Sequence, residues 1–244
     1  MVATVALNHP PHNFFTEALL GELSATMQAL DASPSCRSMV LTSRGQSFCA
    51  GADFGGDIRV EEIPNVAQRL YDQAKVLLTL KKPWVAAVQG AAIGGGLGLA
   101  LAADFRVASP KTKFSANFAQ LGMHCGFAIS VTLPFVVGRQ AASQLLLTGR
   151  RIDGATAQAM GLVDDLVESE QVLDTAQALA QELAHAAPNA VQAMKATLRH
   201  GLQAAISPAL EHELGLQREH VATKDFLEGI RASAQRRAPV FTGT

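Results

Sequence analysis

Two small-residue segments offer the chemistry in this chain: Ala50-Gly51-Ala52-Asp53 and Gly94-Gly95-Gly96. Small side chains let a ligand come close to the backbone, and free amides at a loop or helix start point toward developing negative charge. Two such amides aimed at one point make an oxyanion hole. In a site shut off from water, one well-aimed donor contributes roughly 2.7–4 kcal/mol to a transition state. The enolate of a thioester is a charge of the kind they suit. A glycine triplet can also serve only close packing of a helix on a strand. Dinucleotide binding is the obvious competitor, but the spacing is not G-x-G-x-x-G, the loop lies far from the N-terminus, and no G-K-[ST] marks a nucleotide P-loop.

The elements that must hold these loops follow from patterning. Residues 2–7 read as a strand, ended by Asn8-His9-Pro10-Pro11, because proline fixes φ and lacks a donor. Thr16 caps a helix over 17–30, where Leu19, Leu20, Leu23, Met27 and Leu30 recur at helical spacing. A buried strand at 38–42 runs into the first small-residue segment. A second helix over 63–80 presents Val66, Leu70, Val76, Leu77 and Leu80, and Lys81-Lys82-Pro83 stops it. The strand at 84–88 feeds the glycine loop, and 99–103 reads as a helix leaving it. After a strand at 105–108 come helical runs to Val136 and from Gln140 to Leu147, then helices over 171–185, 190–200 and 224–237, separated by Pro188, Gly201 and Ser207-Pro208. This divides the chain into an α/β core, 1–188, carrying the site, and a helical C-terminal region, 189–244. There is no short-period repeat.

Apolar residues make up 48% and charged residues 17% of the 244, a balance suited to a compact globule with extensive burial, subunit contacts included. A net charge of −1 argues against a nucleic-acid partner, which selects for an excess of Lys and Arg. Cys36, Cys49 and Cys125 form no paired framework and no C-x-x-C, so neither a disulfide scaffold nor a metal site is expected. No leader pattern or membrane span is legible. The expectation is a cytoplasmic protein.

Ser47-Phe-Cys-Ala-Gly-Ala-Asp53 resembles the first oxyanion segment of the crotonase (enoyl-CoA hydratase/isomerase) superfamily, and Val88-Gln-Gly-Ala-Ala-Ile-Gly-Gly-Gly-Leu-Gly-Leu-Ala-Leu-Ala-Ala-Asp104 resembles the second. Leu147-Thr-Gly-Arg-Arg-Ile-Asp-Gly-Ala-Thr-Ala-Gln-Ala-Met-Gly-Leu-Val163 is similar to the family's helix-turn-helix after the active site, and Asp225-Phe-Leu-Glu-Gly-Ile-Arg-Ala232 keeps the order to the C-terminus. The resemblance implies an α/β spiral of repeated strand-strand-helix turns with a helical C-terminal trimerisation region, assembling as a homotrimer or a dimer of trimers. It also implies an acyl-CoA thioester as ligand, with coenzyme A part of the substrate and no separate cofactor. The oxyanion amides fall on Ala52 and Gly95. Ala50 and Asp53 fall near the adenine and pantetheine path, His12 near the CoA phosphates, and Gly94 and Phe118 at the substrate.

The hydratases of that family use two glutamates, and the matching positions here are Gly98 and Phe118. Gly126 stands where isomerase and dehalogenase branches carry an aspartate. A positioned acid or base contributes about 10²- to 10⁴-fold, so ordinary hydration is not the first expectation. Near the acyl pocket the resemblance leaves Tyr71, Phe118, Gln120, His124, Cys125 and Ser130. His124 is the candidate base, since imidazole titrates near neutral pH, against a loop histidine satisfying backbone groups. Tyr71, the one tyrosine, is a candidate donor of a hydrogen bond or proton, against simple packing. A Cys125–His124 dyad is weighed against the tendency of sequence neighbours to point apart. Asp57, Glu61 and Glu62 could bring a carboxylate over the acyl chain, though such runs are commonly solvated faces. Arg236 and Arg237 either reach CoA or solvate a helix end. The expected function is an enzyme polarising an acyl-CoA thioester: an isomerase, decarboxylase, hydrolase or hydratase with relocated acid/base groups. The alternative is a non-catalytic acyl-CoA-binding protein, with a dehydrogenase third.

Overall fold

The computed structural model describes residues 1–52 and 62–244. Its main sheet is parallel, in the order β1-β2-β3-β5-β8. The strands are β1 (Val2–Leu7), β2 (Ser38–Ser43), β3 (Trp84–Val88), β5 (Phe105–Ala108) and β8 (Asp165–Leu166). Every residue of β2 and β3 is buried, and the apolar residues run on without alternation through Met39–Leu41 and Trp84–Val88. Their side chains divide by the two-residue period of a strand. Met39, Leu41, Ala86 and Val88 enter the main core with helix α1 (Glu17–Ala32), while Val40, Val85, Ala87 and Val107 pack beneath α6 (Val172–His185).

A smaller sheet joins β4 (Ala91–Ile93), β6 (Lys113–Ser115) and β7 (Arg151–Asp153) in the order β4-β6-β7, the first pair parallel and the second antiparallel. Three-residue strands carry no readable period, so patterning alone does not reveal them. A single parallel bridge, Cys49–Ala92, ties the first small-residue segment to this sheet, and another, Phe15–Ala52, ties it to the chain just before α1. Helix α2 (Ile63–Leu78) lies against α1, and α3 (Gly95–Ala102) emerges from the glycine loop. Helix α4 (Ile129–Thr148) is broken at Gly138 (φ 75°, ψ 160°), which accounts for two helical runs in the sequence. Helix α5 (Gly154–Ala159) follows β7.

The C-terminal helices are α7 (Pro188–Leu198), α8 (His200–His220) and α9 (Lys224–Ala234). Helix α8 corrects the sequence reading, which interrupts it at Gly201 and Ser207-Pro208. Pro208 lies inside the helix, where a proline costs about 3 kcal/mol. Leu202, Ile206, Leu210 and Leu214 are all buried along one stripe, and each such side chain contributes about 1.5–3 kcal/mol, so packing outweighs the proline. Asp104 fastens these helices to the sheet: it accepts from the Trp84 amide (3.0 Å), Lys195 Nζ (2.7 Å) and Arg199 Nη1 (3.1 Å). No described helix is long and apolar enough to cross a membrane.

Candidate active site

The parallel strands bring the two small-residue segments to the same edge. Cys49 sits between its neighbours' hydrogen bonds, its amide donating to Ala91 O and its carbonyl accepting from Ile93, both at 3.0 Å. A Cβ on Gly51 would lie 3.4 Å from the Gly95 nitrogen, so the segments abut. The Phe15 amide donates to Gly51 O at 2.7 Å. The two ends of a trans peptide point oppositely, so the Ala52 N–H is directed away from the Phe15 backbone. On the other side Gly94 adopts φ 55°, ψ −122°, a conformation open to glycine. Its carbonyl accepts from Leu97 and Gly98 inside α3. Gly95 therefore opens the helix with an N–H that has no acceptor within it, at the positive end of the helix dipole.

Both residues line a cavity of about 460 Å³. Its walls carry Phe14, Phe15, Phe118, Phe127 and Tyr71, with Leu70, Val66 and Met123 between them. The Phe15 ring stands against Gly95, where a Cβ would come within 2.7 Å of Cε2, and stacks on Phe127 at 5.5 Å and 19°. Among the described lining residues, Tyr71 and Arg151 are the only titratable side chains. Burial, reinforced by the charge of Glu213, holds the Tyr71 phenol well above its ordinary pKa, so it is neutral and able to donate.

Of the residues singled out in the sequence, Ala50, Ala52, Tyr71, Gly94, Gly95 and Phe118 line this cavity. Asp53, Asp57 and Glu61 lie outside the described residues, and Glu62 directly precedes α2. His12 does not line the cavity; its carbonyl accepts from Ala50 N (3.0 Å), and its ring lies edge-on to Phe14 with Nδ1 3.3 Å from Ser47 Oγ. His124 is also absent from the lining. Its Nδ1 bonds the Cys125 carbonyl at 2.8 Å, and burial lowers its pKa, the backbone-satisfying arrangement weighed against catalysis. Cys125 Sγ lies 3.7 Å from His124 Nδ1, but burial pushes the thiol up to about 12, which keeps it protonated rather than a thiolate. Gln120 Nε2 donates to Thr148 O, and Arg237 pairs with Glu228 at 2.5 Å.

Three residues escape the sequence reading. Phe127 fills the space beside Gly98, where a Cβ would lie 2.7 Å from Phe127 Cβ. Gln217 lines the cavity and accepts from the Tyr71 hydroxyl at 2.9 Å. Glu213, one turn earlier on α8, is fully buried and accepts from Ala128 N (2.7 Å) and Ser130 N (3.0 Å). The available signal was the four-residue spacing of two polar residues on one helix face, hidden by the expected break at Pro208. At Gly126 a Cβ would overlap the Tyr71 phenol oxygen, so the tyrosine occupies that side chain's place.

Comparison with known proteins agrees with this geometry. The "Enoyl-CoA hydratase/isomerase" family profile matches residues 1–244. The chain is 35% identical over 254 residues to a protein of Mycobacterium tuberculosis H37Rv named "Probable enoyl-CoA hydratase EchA12", covering 99% of this chain and 89% of that one. It is 35% identical over 255 residues to the "(E)-benzylidenesuccinyl-CoA hydratase" of Thauera aromatica, covering 99% and 96%. A solved enoyl-CoA hydratase/isomerase from Pseudoalteromonas atlantica T6c superposes with a TM-score of 0.86 at 27% identity, covering 98% of this chain and 96% of that one. The glycine-opened helix, the abutting amides and the match along the full length together show that this chain belongs to the enoyl-CoA hydratase/isomerase family, with the crotonase fold.

Proposed function

We propose that this enzyme binds an acyl-CoA thioester with its carbonyl oxygen between the Ala52 and Gly95 amides and stabilises the enolate or tetrahedral oxyanion formed there. The observation that carries this reading is the pair of abutting backbone segments opening on one apolar cavity. Such donors strengthen as charge moves onto the oxygen, and more so where water is excluded. Coenzyme A is part of the substrate, and no separate cofactor is required. Its path runs past His12, Ala50 and Gly94, with Phe118 against the acyl group. The neutral Tyr71 phenol supplies a hydrogen bond or a proton to the bound group.

The reaction is an isomerisation, decarboxylation, hydrolysis or atypical hydration, since Gly98, Phe118 and Gly126 stand where the family resemblance places acids. Incubating saturated, 2-enoyl, 3-enoyl, malonyl-type and aryl CoA thioesters with the protein in heavy water, followed by mass spectrometry, separates these. Deuterium at the α-carbon, added water, lost CO₂ or free CoA each names a branch. The lack of a carboxylate or imidazole in the described lining favours one second reading, a non-catalytic acyl-CoA-binding protein. It expects every thioester to return unchanged while raising the melting temperature, a ligand at 100 times its Kd adding roughly 2.7 kcal/mol. If no thioester binds, both readings fall. The assembly we propose is a homotrimer or dimer of trimers, for which the support is Met194 and Leu198, four residues apart on α7 and 56% and 76% exposed.

A further inference from the structure

The loop 124–130 meets α8 through three side chains on one face of the helix, at 213, 217 and 220. Glu213 accepts from the amides of Ala128 and Ser130, Gln217 Nε2 donates to His124 O at 2.9 Å, and His220 Nδ1 accepts from His124 N at 3.1 Å. Between these anchors two consecutive non-glycine residues take positive φ, Phe127 at 63° and Ala128 at 56°. Each is a strained conformation that persists only where its surroundings fix it. The buried carboxylate gripping the amides at 128 and 130 provides that constraint. The turn directs the Phe127 ring into the cavity, onto Phe15 and over Gly98.

Gln217 does for Tyr71 what Glu213 does for Phe127. Its Nε2 faces a carbonyl, which leaves Oε1 for the phenol and holds the ring in the space denied to a side chain at 126. The contacts thus run in order from the oxyanion amide: Gly95 to the Phe15 ring, Phe15 to the Phe127 ring, and the Phe127 backbone to the Tyr71 hydroxyl, which fills the space at Gly126. We propose that Glu213 and Gln217 are positioning residues for the far wall of the acyl pocket, Glu213 through Phe127 and Gln217 through Tyr71, so that α8 sets the length of acyl group accepted. This inference rests on the acyl-thioester reading above.

The test is the set of dissociation constants for saturated acyl-CoAs of graded chain length, measured on the full chain, its Phe127→Ala variant, Glu213→Gln and the charge-keeping Glu213→Asp. Fluorescence of Trp84, the one tryptophan and fully buried, reports folding. Wild type is expected to bind up to a cut-off length. Phe127→Ala moves the cut-off to longer chains, changing the long-to-short affinity ratio at least tenfold. Whichever folded Glu213 variant is measured moves it the same way, although residue 213 does not line the cavity. A uniform weakening with an unchanged cut-off, the mark of a merely structural role, overturns the Glu213 assignment. For Gln217→Leu the tyrosinate absorbance, which reports Tyr71 alone, is expected to titrate at a different pH; an unmoved titration overturns the Gln217 assignment. A wild type that binds no acyl-CoA defeats the thioester reading and this inference with it, a result distinct from an unchanged cut-off in a protein that binds.

Discussion

Glu213 is a buried residue whose ionisation is coupled to folding. Burial pushes its carboxyl from an ordinary 4.5 up to about 7, against the Ser130 and Ala128 hydrogen bonds that favour the charged form. The unfolded chain therefore releases this proton at lower pH than the folded one. Its stabilising contribution is full below about 4.5 and is lost as pH rises to about 7, a change of roughly 3 kcal/mol. Urea unfolding across that window should show the loss in wild type and not in Glu213→Gln, where nothing titrates at 213. The same substitution removes a negative charge that raises Tyr71, so tyrosinate should appear at lower pH in the variant. Tyr71→Phe tests the phenol directly: a proton donor lost from the transition state should lower kcat by about 10²- to 10⁴-fold, with KM little changed. The sequence pointed to Tyr71 as the only tyrosine but not to its partner, because the contact joins residues 146 apart along the chain.

The helix α3 and its glycine start give the sharpest prediction among the elements. Gly95→Ala places a methyl group 2.7 Å from the Phe15 ring, and overpacking of this kind costs about 1–3 kcal/mol. The chain should still fold, while acyl-CoA affinity and turnover fall because the amide and the ring over it are displaced; unchanged affinity would remove Gly95 from the site. The strand at 84–88 was legible to the residue because a buried parallel strand is a short apolar run bounded by breakers; the strand at 105–108 was too, although Arg106 interrupts its apolar residues. Helix α8 was not, since Gly201 and Pro208 are local signals and the buried stripe that overrides them depends on α2 and α4 being in place. His124 illustrates the converse: its type suggested a base, and only the folded loop shows its ring turned to a backbone carbonyl.

For the whole molecule, the ion cluster at Asp104 couples the sheet to the helices that complete the cavity. Lys195 and Arg199 are buried against it, and removing one partner of a buried pair costs about 3–5 kcal/mol. Asp104→Ala should therefore lower the thermal midpoint by roughly 6–20 °C at about 2–4 °C per kcal/mol for a chain of this size; a shift within error would show that the cluster contributes little. Sequence motifs disclosed the two small-residue segments that meet at the cavity and the order of the fold. They did not disclose that the C-terminal region supplies cavity wall through Gln217, Ile230 and Ser233, since that placement depends on how α8 and α9 pack against the core.

The overlap of Tyr71 with a side chain at 126 constrains the order in which this pocket can change over evolutionary time. A larger residue at 126 and the present placement of Tyr71 exclude each other. A lineage leaving the present state must shrink residue 71 before it can enlarge residue 126. The two positions should thus behave as a locked pair: Gly126→Ala alone is strongly destabilising, Tyr71→Leu alone is milder, and the double substitution recovers much of the loss, a non-additivity that a double-mutant cycle measures.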